Sequence, residues 1–289
     1  MVGSRFCELQ TSFQLIKADL NGEEISVDLT EQKSVETFFK NYEFDIIILF
    51  SAFTDVDTAE KQRGDKNGIA WKINVDGAKT VANLAAKFSR KLIFISTETV
   101  FDGQNGPYKE EDQRGQNLNK ISWYGITKIN AEEAVQDSSN DNIILRISYP
   151  YRGRYTKKAD FAKQILKKFD DGTLYPLFTD QIITPTFIND LVPLVELLIN
   201  KQLSGIFHLA SPQTTTPYDF ANLLLTTFGR NPVSLKKAEL ESLLKHKGST
   251  PRPIKGGLNV SKILNLGFTP TTWEDGIRKI YEESNGRLI

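Results

Sequence analysis

The chain has 289 residues, 39% hydrophobic and 25% charged, with 36 basic residues matching 36 acidic ones. That balance is ordinary for a soluble globular protein of one large or two small domains, and it gives no hint of nucleic acid or an anionic membrane as partner. The single Cys7 excludes an intrachain disulfide and suits a reducing, cytoplasmic setting, no apolar run approaches the ~18 residues of a membrane span, and the N-terminus has no signal-peptide pattern.

In chain order, residues 14–18 (Q-L-I-K-A) read as a short strand and residues 35–40 as a helical stretch. Residues 45–50 (D-I-I-I-L-F) are apolar on consecutive positions, the pattern of a strand buried on both faces. A long helix follows, with Ile69, Ile73, Val81, Leu84 and Ala85 at roughly helical spacing. Residues 91–95 (K-L-I-F-I) form a second buried strand, before a helix over 124–136 and a strand over 142–147 (N-I-I-L-R-I). Strand–helix alternation of this kind predicts right-handed βαβ crossovers and a parallel sheet covered on both sides.

After Pro150 the rhythm changes. Residues 159–169 and 190–200 are helical, 181–187 is extended around Pro185, and 205–210 is a short strand. A helix over 217–228, a loop over 245–257 and helices over 261–264 and 273–283 complete the pattern. The fold class is α/β, a doubly wound, Rossmann-like parallel sheet with a smaller interleaved C-terminal lobe. Residues 1–150 and 180–210 make the first unit, and residues 151–179 and 211–289 the second. In such sheets ligands bind outside the carboxyl ends of the strands, where Ser51, Ser96 and Ser148 fall.

Tyr124-Gly-Ile-Thr-Lys128 pairs a phenol with an ammonium at i,i+4, on one face of a helix. A free phenol has a pKa of roughly 10, and a fixed positive charge nearby lowers it toward useful proton transfer. Alone, the spacing is equally that of a solvated helix face. The two histidines, His208 and His246, have no metal-like spacing, and His208 reads as a strand residue beside the core.

Further motifs surround that pair. Ser51-Ala-Phe-Thr-Asp-Val-Asp-Thr-Ala-Glu60, Ser96-Thr-Glu-Thr-Val-Phe-Asp-Gly103, Asp180-Gln-Ile-Ile-Thr-Pro-Thr186 and Arg252-Pro253 ahead of Leu258-Asn-Val-Ser-Lys262 occur in order, with Val27-Asp28-Leu29-Thr30 and Ile73-Asn74-Val75 upstream. With these motifs the chain resembles the extended short-chain dehydrogenase/reductases, and within them the dTDP-4-dehydrorhamnose reductase branch.

The resemblance implies reduction of a nucleotide-activated 4-keto-6-deoxy sugar by NADPH or NADH, in dTDP-L-rhamnose formation for polysaccharide. Residues 1–150 with 180–210 would bind the dinucleotide, and the second unit the substrate. Tyr124 would donate the proton, Lys128 would lower the phenol pKa and hold the nicotinamide ribose, Thr97 would hydrogen-bond the keto oxygen, and Asn74 would support the lysine and a water relay. Gly3, Asp19, Asp28, Leu29, Ser51, Ala52, Phe53, Thr54 and Ser96 would join Tyr124 and Lys128 around the cofactor. Asp28 and Leu29 would contact adenine, although Asp28 also suits a helix cap. Asp19, at the ribose position, favours a cofactor without a 2′-phosphate, a preference that Lys17 weakens. Thr97, Glu98, Tyr149, Gln181, Pro185, Thr186 and Arg252 would face the sugar nucleotide, with Arg252 on its diphosphate. Nucleic acid and membrane are not expected partners, and a homodimer is compatible with the resemblance.

Two features depart from the branch. Tyr149 stands where Trp is usual, and Glu98-Thr99 where Asp-Tyr is usual. The segment Val2-Gly-Ser-Arg-Phe6 resembles the end of the glycine-rich turn G-x-x-G-x-x-G, of which Gly3 alone is present, and the first strand does not precede it. The persistence of Thr97, Tyr124 and Lys128 favours a shortened copy of an ordinary reductase. The alternative is a non-catalytic, partner-binding homologue such as the regulatory subunit of methionine adenosyltransferase. A third reading, a nucleotide-sugar epimerase or dehydratase, is weakened because Thr99 replaces the second acid of a dehydratase pair.

Overall fold

A computed structural model describes residues 1–22, 25–154 and 158–288. Among them, six strands form two sheets: β1 (Ile46–Leu49), β2 (Lys91–Thr97), β3 (Ile143–Ile147), β4 (Leu177–Phe178), β5 (Gly205–Leu209) and β6 (Lys237–Ala238). The main sheet is parallel throughout, in the order β1-β2-β3-β5, and β4 and β6 pair in a small second sheet. β1 is an edge, bonded to β2 from Ile46↔Lys91 to Leu49↔Phe94.

Helices cover both faces. α1 (Val2–Leu9), α2 (Gln32–Asn41) and α3 (Val56–Glu60) precede α4 (Ile69–Trp71), which passes through a π-helical stretch (Lys72–Gly77) into α5 (Ala78–Lys87). α6 (Trp123–Ser138) follows, then α7 (Phe161–Asp170), α8 (Leu191–Asn200), α9 (Pro217–Thr227), α10 (Leu240–Leu244), α11 (Ser261–Asn265) and α12 (Trp273–Ser284). None is long and apolar enough to cross a membrane.

Consecutive apolar residues in the strands serve both faces, because successive side chains point to opposite sides. Ile93, Ile95, Ile143, Leu145, Phe207 and Leu209 pack with Leu191, Leu194 and Leu198 of α8. Leu92, Phe94 and Ile144 pack on the other face with Val81 and Ala85 of α5, Ala131 and Val135 of α6, and Phe38 and Phe39 of α2. Burying each large aliphatic or aromatic side chain contributes about 1.5–3 kcal/mol. A separate core joins Tyr151, Ile165, Leu166, Phe187, Phe220, Leu224, Ile277 and Ile280. It unites α7, α9 and α12 into the smaller unit, and the caps Asp160, Thr216 and Thr272 start those helices by accepting backbone N–H groups.

Two expected elements differ. Residues 14–18 form no strand: the one ladder contact there is the isolated bridge Asp19↔Ser26, and Ile16 and Leu20 remain 38% and 55% exposed. An apolar run becomes a strand only when a neighbour supplies ladder hydrogen bonds. The helix expected across residues 69–85 is continuous in direction, but its middle widens into the π-helical stretch that carries Asn74.

Candidate functional site

The site lies at the carboxyl ends of β1, β2 and β3. Ser122 starts α6, its hydroxyl accepting the Gly125 N–H at 3.2 Å, and this places Tyr124 and Lys128 against the end of β2. Gly125 has to be glycine, since a Cβ there would overlap the Thr99 carbonyl oxygen. Thr97 ends β2, its Oγ1 accepting the Thr99 N–H at 3.2 Å.

Burial pushes the Tyr124 phenol up to about 12, with the Thr97 hydroxyl acting in the opposite sense. Burial pulls the Lys128 ammonium down to about 7, against the opposing pull of the Glu132 carboxylate. Lys128 Nζ donates to the Ile95 carbonyl at 2.8 Å and sits 3.8 Å from the centre of the Phe94 ring. The expected lowering of the phenol by Lys128 is therefore not the dominant effect in this state: the Tyr124 environment is set by desolvation.

Asn74 does not touch Lys128. Its side-chain oxygen accepts the Phe53 N–H at 2.8 Å, and its Nδ2 donates to the Phe53 carbonyl at 3.1 Å and to Thr127 Oγ1 at 2.9 Å. It thereby joins the loop after β1 to the residue preceding Lys128. In that loop Ser51 and Thr54 are exposed, Ala52 and Phe53 are half-buried, and Lys158 donates to Thr54 Oγ1 at 3.0 Å. Gly3 lies in the first turn of α1, where a Cβ would come within 3.0 Å of the Phe50 ring, and no side chain caps that helix.

Asp19 is exposed, its carboxylate accepting the Asn21 N–H at 3.3 Å. Asp28 accepts both the Thr30 N–H and hydroxyl, which hold its carboxyl below the usual range, and it does not cap α2, whose N-cap is Glu31. Leu29 packs beside Gly77 at the end of the π-helical stretch. The Ser96 hydroxyl is buried and donates to Glu132 Oε1 at 2.6 Å, on the α6 side of the sheet.

On the opposite wall, Glu98 is fully enclosed, and burial raises its carboxyl to about 7, against hydrogen bonding from Ser148 and the Gly257 N–H. The Gly257 N–H donates to Oε2 at 2.9 Å, whereas the Ser148 hydroxyl falls short of full hydrogen-bond geometry and leaves the buried Oε1 without a full partner. Tyr149 adopts a φ of 39°, a left-handed conformation uncommon outside glycine. Gln181 Nε2 donates to its hydroxyl at 3.0 Å and to the Pro253 carbonyl at 3.1 Å.

Pro185 and Thr186 also stitch the chain together. The Pro185 carbonyl accepts the Ser211 N–H at 3.1 Å, and the Thr186 hydroxyl donates to the Leu209 carbonyl at 2.7 Å while accepting the Ser148 N–H at 3.0 Å. Arg252 meets a carboxylate: its Nη2 donates to both oxygens of Asp57, at 2.8 and 2.9 Å. Asp57 was not singled out from the sequence, and neither were Glu132 and Arg146. The signal for Glu132 was present, because it continues the i,i+4 spacing of Tyr124 and Lys128.

A doubly wound parallel sheet with Thr97, Tyr124 and Lys128 gathered at its carboxyl edge defines the class of extended short-chain dehydrogenase/reductases. Within that class, the chain belongs to the family described as the RmlD substrate binding domain, whose model matches residues 6–285. It is 30% identical, over 87% of its length and 81% of the relative's, to the probable low-salt glycan biosynthesis reductase Agl14 of Haloferax volcanii. It is also 30% identical, over 89% and 86% of the two chains, to the spore coat polysaccharide biosynthesis protein SpsK of Bacillus subtilis. Among solved structures it is similar to dTDP-4-dehydrorhamnose reductase of Bacillus anthracis in complex with NADP, with a TM-score of 0.85, 25% identity, and coverage of 98% and 95% of the two chains.

Proposed function

We propose that this chain reduces the keto group of a 4-keto-6-deoxy sugar carried on a nucleoside diphosphate, as a dTDP-4-dehydrorhamnose reductase does, with NADPH or NADH as reductant. The observation that carries the reading is the enclosed grouping of Thr97 and Tyr124 beside an unsatisfied Glu98 oxygen at the carboxyl edge of the sheet.

The residues fit a dinucleotide. The uncapped first turn of α1, with Gly3 packed on Phe50, leaves backbone N–H groups for a diphosphate, and the exposed Ser51 and Thr54 lie at the end of β1. Ala52, Phe53, Leu29, Asp28 and Asp19 would continue the cofactor wall. When bound, the nicotinamide supplies the hydride and the protein sets its distance and face. Thr97 and Tyr124 would each donate to the keto oxygen as negative charge develops there, and Tyr124 would pass its proton to the alkoxide. Lys128 would leave the Ile95 carbonyl for the ribose and bring its charge to the phenol. Asn74, fixed on Phe53 and Thr127, would hold the two walls at constant separation. Tyr149 and Gln181 would meet the sugar, and Arg252, released from Asp57, its diphosphate.

Residues 1–150 with 180–210 would serve the cofactor, and residues 151–179 with 211–289 the sugar nucleotide. The setting is cytoplasmic, where nucleotide sugars are made, and the product would feed a surface polysaccharide. The test is oxidation of NADPH or NADH, followed by nicotinamide absorbance, with dTDP-4-dehydrorhamnose as substrate. Turnover that requires the keto sugar supports the reading. A folded chain that binds neither cofactor sinks it.

A further inference from the structure

Three parallel strands carry one polar residue each at the same level of the sheet. Ser96 of β2 is in register with Arg146 of β3, and Arg146 with His208 of β5. Their neighbours on the same face, Phe94, Ile144 and Ile206, pack in the apolar cluster under α5 and α6, so this row interrupts a hydrophobic layer. All three are at most 3% exposed.

The row converges on Glu132. Its Oε1 accepts Ser96 Oγ at 2.6 Å and Arg146 Nε at 2.9 Å, and its Oε2 accepts Arg146 Nη2 at 2.7 Å. Arg114, from the loop before α6, approaches Oε2 at 3.4 Å. Arg146 Nη1 lies 3.3 Å from His208 Nε2, and His208 Nδ1 lies 3.1 Å from the Asn259 carbonyl. The carbonyl can only accept, so Nδ1 carries the proton and Nε2 accepts from Arg146. Burial and the Arg146 charge pull His208 down to about 3 and keep it neutral.

Tyr124, Lys128 and Glu132 follow one another at four-residue steps on α6, and Glu132 is fully enclosed. Lys128 feels the Glu132 charge from its own helix, and from β2 it is met by the Ile95 carbonyl and the Phe94 ring. The nearest polar group of the π-helical stretch, Asn74, is held on Thr127. The enclosed Glu132 carboxylate thus lies among Lys128, Arg146 and Arg114, the last of which also reaches Glu133 at 3.9 Å.

Building on the reductase reading, we propose that Glu132, locked by Ser96 and Arg146, is a positioning residue that keeps Lys128 cationic at the pH of the reaction. An enclosed ammonium loses its proton readily, and one opposite charge a helical turn away opposes that loss. Arg146 and Ser96 fix the carboxylate in place, and neutral His208 accepts from Arg146 instead of repelling it.

The test is the titration of Lys128 itself, read from the NMR shift of its 13C-labelled ε-carbon in the full chain and assigned with Lys128→Arg. Glu132→Gln keeps the shape and removes the charge. The Lys128 midpoint is expected to fall by at least one pH unit, a tenfold smaller cationic fraction above it. The alkaline limb of the reduction rate should fall with it, and Glu132→Asp should restore both toward the parent. Should Glu132→Gln fail to fold around an unpaired Arg146, Glu132→Gln with Arg146→Met removes both charges and is expected to give the same fall. An unchanged midpoint overturns the proposal. A midpoint that moves in a chain without turnover upholds the role of Glu132 and rejects the reductase reading instead.

Discussion

Arg252 and Asp57 form a two-pronged ion pair that ties the C-terminal loop to the first turn of α3. The pair joins the smaller unit to the rim of the β1 loop, and it occupies the guanidinium proposed to meet the substrate diphosphate. A carboxylate with two oxygens is a fair copy of a phosphate edge for a planar guanidinium fork. Substrate and Asp57 therefore compete for Arg252. Arg252→Ala is expected to raise KM for the sugar nucleotide at least tenfold with a smaller change in kcat, whereas Asp57→Asn is expected to lower KM. Equal KM values in all three chains would remove Arg252 from the substrate site.

Tyr124→Phe removes the proton donor and keeps the ring in its enclosed place. Loss of a positioned general acid costs between about a hundredfold and ten-thousandfold in rate. Cofactor titration by nicotinamide fluorescence should be unchanged within a few fold. Turnover of Tyr124→Phe at the parent rate would falsify the assignment of the acid.

Glu98 makes stability depend on pH in a direction opposite to most carboxylates. Its folded pKa, about 7, is raised from an unfolded value near 4.5. Between those values the native state binds more protons, so its contribution is complete below pH 4.5 and is lost as pH rises through 7. The loss amounts to about 3 kcal/mol for a fully enclosed group, taken as an upper figure. Denaturant midpoints at pH 5 and pH 8 should show Glu98→Gln gaining on the parent at the higher pH. A constant difference between the two chains across that range would mean that Glu98 is ionised throughout.

Gly125→Ala adds one methyl where the Thr99 carbonyl leaves no room, between the residue that donates the proton and the end of β2. Overpacking of this kind costs about 1–3 kcal/mol. The expected result is a lower thermal midpoint together with a larger loss of kcat than of cofactor affinity, because α6 must shift away from Thr97. A wild-type melting curve for Gly125→Ala would show that the contact is looser than the structure has it.

The amino-acid sequence by itself determined the four strands of the main sheet, most helices and the spacing of Tyr124 and Lys128. Runs such as Ile46–Leu49 and Ile143–Ile147 announce strands covered on both faces, because unbroken apolar stretches of that length have no other stable place. The i,i+4 step from Tyr124 to Lys128 survives folding unchanged, since both lie on one helix. What tertiary structure alone decided depends on partners distant in sequence. Residues 14–18 have strand composition but no ladder neighbour, so they remain irregular. The widened turn that carries Asn74 is marked by no local pattern in the sequence. The register of β2 against β3 sets Ser96 beside Arg146, and its hydroxyl turns to Glu132. Arg252 and Asp57 are separated by most of the chain, and only the packing of the smaller unit against the sheet brings the guanidinium to that carboxylate. Strand and helix character is set by local side-chain periodicity, whereas the charge around Lys128 and the grip on Arg252 are set by strand register and packing, which short-range sequence does not encode.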